Sequence, residues 1–156
     1  MVQIITPPHE YTKQGKSVFL AGSIEMGAAV SWQQDIIDEL SGTNCTILNP
    51  RRAAWDSSWT QEESNPVFNE QVAWELDGIL KNADLVCFYF DPNTKSPVTL
   101  LELGLVLASG KECLVCCPLG YWRKGNVDIT CRRYGVEVID SLPTLISKLT
   151  AKLNGL

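Results

Sequence analysis

The run Asp84-Leu85-Val86-Cys87-Phe88-Tyr89-Phe90 constrains the fold more than any other stretch of the chain. It is apolar almost throughout instead of alternating, which suits a central strand of a parallel sheet with both faces covered. Four further short apolar runs lie at Ser17–Ala21, Cys45–Leu48, Cys113–Cys117 and Val136–Ile139. Helical patterns separate them. The first runs from about Val30 to Leu40, with Ile36, Ile37 and Leu40 apolar. The second runs from Pro66 to Asn82, with Val72, Leu76, Ile79, Leu80 and Ala83 as its inner stripe. A helix follows Pro97, a short one precedes Val136, and an amphipathic one covers Leu142–Leu153. Strands alternating with helices predict an α/β fold, a flavodoxin-like or Rossmann-like doubly wound sheet of five parallel strands in the order 2-1-3-4-5. The 156 residues fit one domain spanning 1–156, with 1–16, which holds Pro7-Pro8, as an N-terminal arm.

Several function classes fall away on composition. A net charge of −5, with no basic run longer than Arg51-Arg52 or Arg132-Arg133, argues against a nucleic-acid polymer as partner. No apolar stretch reaches membrane-spanning length, and the start lacks the pattern of a signal peptide, so a cytoplasmic protein is expected. Of the six cysteines, Cys45, Cys87, Cys113, Cys116 and Cys117 fall in or beside strands, where they read as reduced, structural thiols. Cys113 and Cys116 leave an extended strand on opposite faces and do not clasp one ion. His9 is the single histidine, which removes Ser-His-Asp and His-rich metal chemistry. No metal and no cofactor is expected; catalysis rests on carboxylates, hydroxyls or lysine.

The topology then selects a place. Ligands of such sheets bind beyond the carboxyl ends of the strands where the strand order reverses. Two segments meet there: one beginning Gly22-Ser23, and Asp91–Ser96, which leads into Pro97-Val98-Thr99-Leu100-Leu101-Glu102-Leu103-Gly104. Leu101, Leu105 and Ala108 recur at helical spacing, so this run reads as a helix buried on most sides, with Ser96 as N-cap and Pro97 as first residue. Glu102 is a lone carboxylate among leucines. Thr99-x-x-Glu102 also has the form of a capping box, which would make the carboxylate structural. Its arrival at the crevice favours chemistry. The segment Ala53–Asn65, with Trp55 and Trp59, reads either as a lid or as a plug over the core.

In these motifs the chain resembles the nucleoside 2-deoxyribosyltransferase family, which includes 2'-deoxynucleoside 5'-phosphate N-hydrolases. The resemblance runs from Val18 to about Pro118 and rests on Leu20-Ala21-Gly22-Ser23, Ala83-Asp84-Leu85-Val86 and Leu101-Glu102-Leu103-Gly104. Asn49-Pro50-Arg51-Arg52 and Trp122-Arg123-Lys124-Gly125-Asn126-Val127 resemble a less-studied branch of it. It implies that Glu102 is the nucleophile attacking the anomeric carbon of a nucleoside or nucleotide. The family's proton donor stands eight positions before the aspartate that opens the third strand. Counted back from Asp84 that position is Leu76, so the candidates are Glu75 and Asp77, with Glu75 favoured because it shares a side with Gln71. For both, a solvated helix flank is the competing reading. Asp91 is a candidate for the sugar hydroxyls, or simply an Asp-Pro turn. Ligand-binding candidates are Gly22, Ser23, Asn49 and Ser96. Trp122 reads as a stacking surface or as cover for the core, and Asn126 as the residue a second subunit contributes to the site in a homodimer or higher homo-oligomer. Glu25 in the first loop would repel a 5'-phosphate, unless Arg51, Arg52 or Arg123 answers it. The competing reading is a non-catalytic module binding a nucleotide or sugar-nucleotide on the same fold. A flavoprotein is disfavoured because the first loop lacks a phosphate cradle.

Overall fold

The computed structural model describes residues 1–24, 31–51 and 60–155. The expectations for Glu25, Arg52, Trp55 and Trp59 lie outside them. The strands are β1 (Gln3–Ile5), β2 (Lys16–Gly22), β3 (Cys45–Leu48), β4 (Leu85–Tyr89), β5 (Cys113–Cys116) and β6 (Val138–Ile139). All pair in parallel, in the order β1-β3-β2-β4-β5-β6. Leaving β1 aside, this is the expected 2-1-3-4-5 arrangement. The correction lies in the N-terminal arm, whose Gln3–Ile5 pairs with Thr46–Leu48 as a sixth, edge strand. The remainder of the arm is anchored too. Gln14 N donates to Thr46 Oγ1 (3.2 Å), Thr46 Oγ1 to Gln14 O (2.8 Å), and Trp74 Nε1 to the His9 carbonyl (2.8 Å).

Helices cover both faces, as the unbroken apolarity of β4 demands. The helices α1 (Trp32–Glu39) and α5 (Leu142–Leu153) bury Trp32, Ile36, Leu145 and Leu149 against one face. The helices α2 (Pro66–Asp77), α3 (Pro97–Ser109) and α4 (Lys124–Arg133) share a core with Phe19, Phe88 and Val115 on the other. Asn65 starts α2 by accepting from Val67 N (3.0 Å) and Phe68 N (3.3 Å), with Pro66 next to it. Asp84 ties the beginnings of β4 and β2: its Oδ2 accepts from Ser17 N (2.9 Å) and Ser17 Oγ (3.2 Å). That aspartate is therefore a strut at the end of the sheet opposite the ligand crevice. Among the described residues no helix is long and apolar enough to cross a membrane. The six thiols are free, and burial pushes those of Cys87, Cys116 and Cys131 up, which keeps them protonated and unreactive.

Two helices present different faces from those expected. In α3, Leu101 (66% exposed) and Leu105 face outward with Val98, while Thr99, Glu102, Leu103, Val106 and Leu107 face inward. The helix is apolar on every side, so periodicity alone does not distinguish its core face from its outer one. Along α2 and the turn that follows it, Leu76 and Leu80 are exposed and Gln71, Gly78 and Ile79 are buried. Here the cause is a change of helical pitch. The α-helix stops at Asp77 and the chain makes a π-helical turn over Gly78–Asn82. Such a turn holds one residue more than an α-turn and rotates the helix before it relative to the residues after it. Gly78 lets the turn pack close to β2, since a Cβ there would lie 2.8 Å from the Phe19 ring.

Candidate active site

The strand order reverses between β2 and β4, and their carboxyl ends are held together by hydroxyl groups. Ser23 Oγ accepts from Asp91 N (2.9 Å) and lies 2.8 Å from Thr94 Oγ1 and 2.5 Å from Ser96 Oγ. Thr94 and Ser96 close the triangle at 2.8 Å. Gly22 leads into it because only glycine fits: a Cβ would sit 2.5 Å from both the Trp32 ring and the Tyr89 carbonyl oxygen. Ser96 occupies the N-cap position of α3, yet its side chain makes no capping bond and instead joins this triangle, with the backbone at φ 48°. A left-handed serine costs on the order of 1 kcal/mol, and such strain concentrates at functional sites. Ser23 and Ser96 are thus committed to shaping the crevice floor. Asp91 is buried above them, its Oδ1 accepting from Asn93 N (2.9 Å). Asn49 turns the chain after β3, its Oδ1 accepting from Arg51 N (3.1 Å).

Glu102 projects from the second turn of α3 and is only 6% exposed. It belongs to no capping box, because Ser96 is the N-cap and Thr99 is itself the third helical residue. Across from it on α2 is Glu75. Burial and then the charge of Glu75 push the Glu102 carboxyl up to about 8. Burial likewise raises Glu75 to about 7, opposed by a hydrogen bond from the Gln71 amide that favours the charged form. Glu75 keeps some accessible surface, but its carboxyl is crowded by protein. Two carboxyls this close in a poorly solvated crevice do not both ionise near neutrality, and together they retain a proton.

The π-turn explains why Glu75 stands there. Counting eight positions back from Asp84 assumes an unbroken α-helix and lands on Leu76. The turn's extra residue makes it nine, which is Glu75. Asp77 lies on the solvent side, 57% exposed and paired with Lys81 at 3.5 Å, so the structure does not bring it to Glu102.

Two more expected residues line a different feature, an open groove of about 500 Å3 between α3 and α4, walled by Leu100, Leu103 and Val127. Trp122 and Asn126 are at its rim, and Glu102 is not part of it. Asn126 is on α4, not on a loop. Trp122 is held by Nε1 donating to the Lys95 carbonyl (2.8 Å), with the Arg123 guanidinium 4.4 Å from its ring centre.

Sequence reasoning gives no site role to two buried glutamines. Gln71 (6% exposed) donates Nε2 to the Pro50 carbonyl at 3.1 Å, and Gln33 (1% exposed) accepts from Arg51 Nη1 at 3.2 Å. Among the described residues each leaves its other amide atom, Gln71 Oε1 and Gln33 Nε2, buried without a partner. A single glutamine in a helix gives no signal; only the i, i+4 spacing of Gln71 and Glu75 points here.

The raised carboxyls have a consequence for stability. Between the ordinary glutamate range near 4.5 and the raised value, the folded state binds more protons than the unfolded chain. The pair therefore costs stability increasingly as pH rises through that window. Glu102→Gln is expected to raise the melting temperature by roughly 5 °C at pH 8 and hardly at all at pH 4.5. A melting temperature lowered equally at both pH values would show that the carboxyl is well solvated or paired.

Comparison with known proteins supplies a family and a fold. The family model described as nucleoside 2-deoxyribosyltransferase like matches residues 15–121, from the start of β2 to just past β5. No curated protein matches the chain. Among solved structures, a conserved protein from Enterococcus faecalis V583 superposes with a TM-score of 0.62 at 12% identity, over 88% of this chain and 99% of that one. At that identity the likeness is one of fold.

Proposed function

The chain belongs to the nucleoside 2-deoxyribosyltransferase-like family, and on that premise we propose that it breaks the N-glycosidic bond of a (deoxy)nucleoside with Glu102 as nucleophile and Glu75 as proton donor. One observation carries the proposal: two carboxyls from α2 and α3 oppose each other, burial raising both and the charge of Glu75 raising Glu102 further. Sharing a proton supplies both states the reaction needs. An ionised Glu102 attacks the anomeric carbon and forms a glycosyl ester as the C–N bond breaks. A protonated Glu75 gives its proton to the departing base. The ester carbon is then attacked by a second base or by water, whose proton Glu75 takes back. Asp91, buried just beyond β4, is assigned the sugar hydroxyls.

Whether base or water accepts the sugar is decided by incubation with deoxyinosine, with and without adenine. Deoxyadenosine formed only when adenine is present marks a transferase, and free deoxyribose without adenine marks a hydrolase. Saturable binding with no product in either arm would leave the binding-module reading in its place.

The working unit is proposed to be a dimer. Val98, Leu101 and Leu105 expose one apolar stripe on the very helix that carries Glu102, next to the groove where Asn126 is exposed. A second copy covering that stripe would bring its Asn126 near this site. Leu101→Glu should then sediment as a monomer and lose turnover; a wild-type protein sedimenting as a monomer while fully active overturns the dimer.

A further inference from the structure

Gln71 supplies an acceptor that nothing among the described residues uses. Its Nε2 faces the Pro50 carbonyl at 3.1 Å, and a carbonyl can only accept, so the orientation of the amide is fixed. Oε1 must point elsewhere, and it is buried with no hydrogen-bond partner. A buried acceptor left unsatisfied opposes folding, and one that persists calls for a reason. Its neighbourhood supplies one. Gln71 precedes Glu75 by one turn on the same face of α2, and its amide favours the charged form of the Glu75 carboxyl. Because α2 runs from the carboxyl ends of the strands back towards their starts, Gln71 lies on the ligand side of Glu75.

We propose that Gln71 Oε1 is a specificity-determining acceptor for an exocyclic amine on the base, so that adenine and cytosine nucleosides are preferred to their oxo counterparts. The proposal rests on the reading of Glu75 and Glu102 given above. If Glu75 hands a proton to a ring nitrogen, a group one turn away, about 5–6 Å along the helix, meets the rim of that base. There adenine and cytosine offer an N–H donor. Hypoxanthine and uracil offer a carbonyl oxygen, whose lone pairs would confront those of Oε1. Turning the amide over does not resolve the clash, because it would set Oε1 against the Pro50 carbonyl oxygen.

The test compares kcat/KM for deoxyadenosine and deoxyinosine, and separately the binding of free adenine and hypoxanthine by calorimetry, for wild type and Gln71→Met. Wild type is expected to favour deoxyadenosine by about tenfold or more, the effect of one buried hydrogen bond made instead of refused. In Gln71→Met that ratio should fall towards one, and adenine should lose its advantage in binding. A residue that only supports the fold would lower both substrates alike and leave the ratio in place; that result, or a wild-type ratio at or below one, overturns the proposal. If no nucleoside is turned over, the roles given to Glu102 and Glu75 fail. Adenine bound over hypoxanthine only while Gln71 is present would still uphold the acceptor, and equal binding would end it. Should Gln71→Met fail to fold, the wild-type ratio and binding preference decide alone.

Discussion

Glu102→Ala is expected to lose nucleoside turnover by three orders of magnitude or more, roughly the cost of deleting a nucleophile, while melting at or above the wild-type temperature near pH 8. The two halves of this result belong together. A buried carboxyl with its ionisation suppressed by burial and by Glu75 burdens the fold, and such burdens persist where they serve chemistry. A side chain kept for structure would show the reverse, with activity retained in the molecules that fold and the melting temperature lowered. Glu102→Gln extends the comparison, since it keeps the shape and removes the nucleophile. Turnover in either variant within tenfold of wild type would remove Glu102 from the mechanism.

Glu75→Gln is expected to cost about 100- to 10,000-fold on ordinary nucleosides, the usual range for a positioned general acid. The informative arm uses a substrate that does not need the acid. A deoxyguanosine methylated at N7 carries a positively charged base and departs without a proton, so Glu75→Gln should form the glycosyl ester from it nearly as fast as wild type. Completion of the transfer still requires removal of a proton from the incoming group, and that step should remain slow. Loss of rate on both substrates alike would place Glu75 among structural residues. Asp77→Asn should leave both substrates unaffected, because that carboxylate is in solvent beside Lys81.

How much of the molecule is legible in its sequence depends on how local each signal is. The unbroken apolar run of β4 is enough to place a covered parallel sheet, and alternation with helices gives the strand order. Glu102 stands out because a charge among leucines has few cheap explanations. The facing of Glu102 by Glu75 is only half visible: 27 positions separate them, and their meeting depends on the packing of α2 beside α3. The π-turn at Gly78–Asn82 has no sequence signature, yet it brings Glu75 and not Leu76 to face Glu102 and leaves Leu76 and Leu80 outward. The outward face of α3 escapes the sequence for a related reason. When every face is apolar, spacing cannot say which one meets the sheet, and only the sheet's position decides. Gln3–Ile5 is too short to read as a strand before its pairing with Thr46–Leu48 is known.

The central claim is that Glu102 bonds covalently to a sugar carbon while Glu75 manages the proton. Its most direct test is mass spectrometry of acid-quenched Glu75→Gln protein after exposure to N7-methylated deoxyguanosine, where formation of the ester is fast and its breakdown slow. The account predicts a deoxyribosyl adduct on the peptide containing Glu102, absent when Glu102 is also replaced by glutamine. Base released with no adduct on that peptide, or an adduct carried elsewhere in the chain, would contradict it.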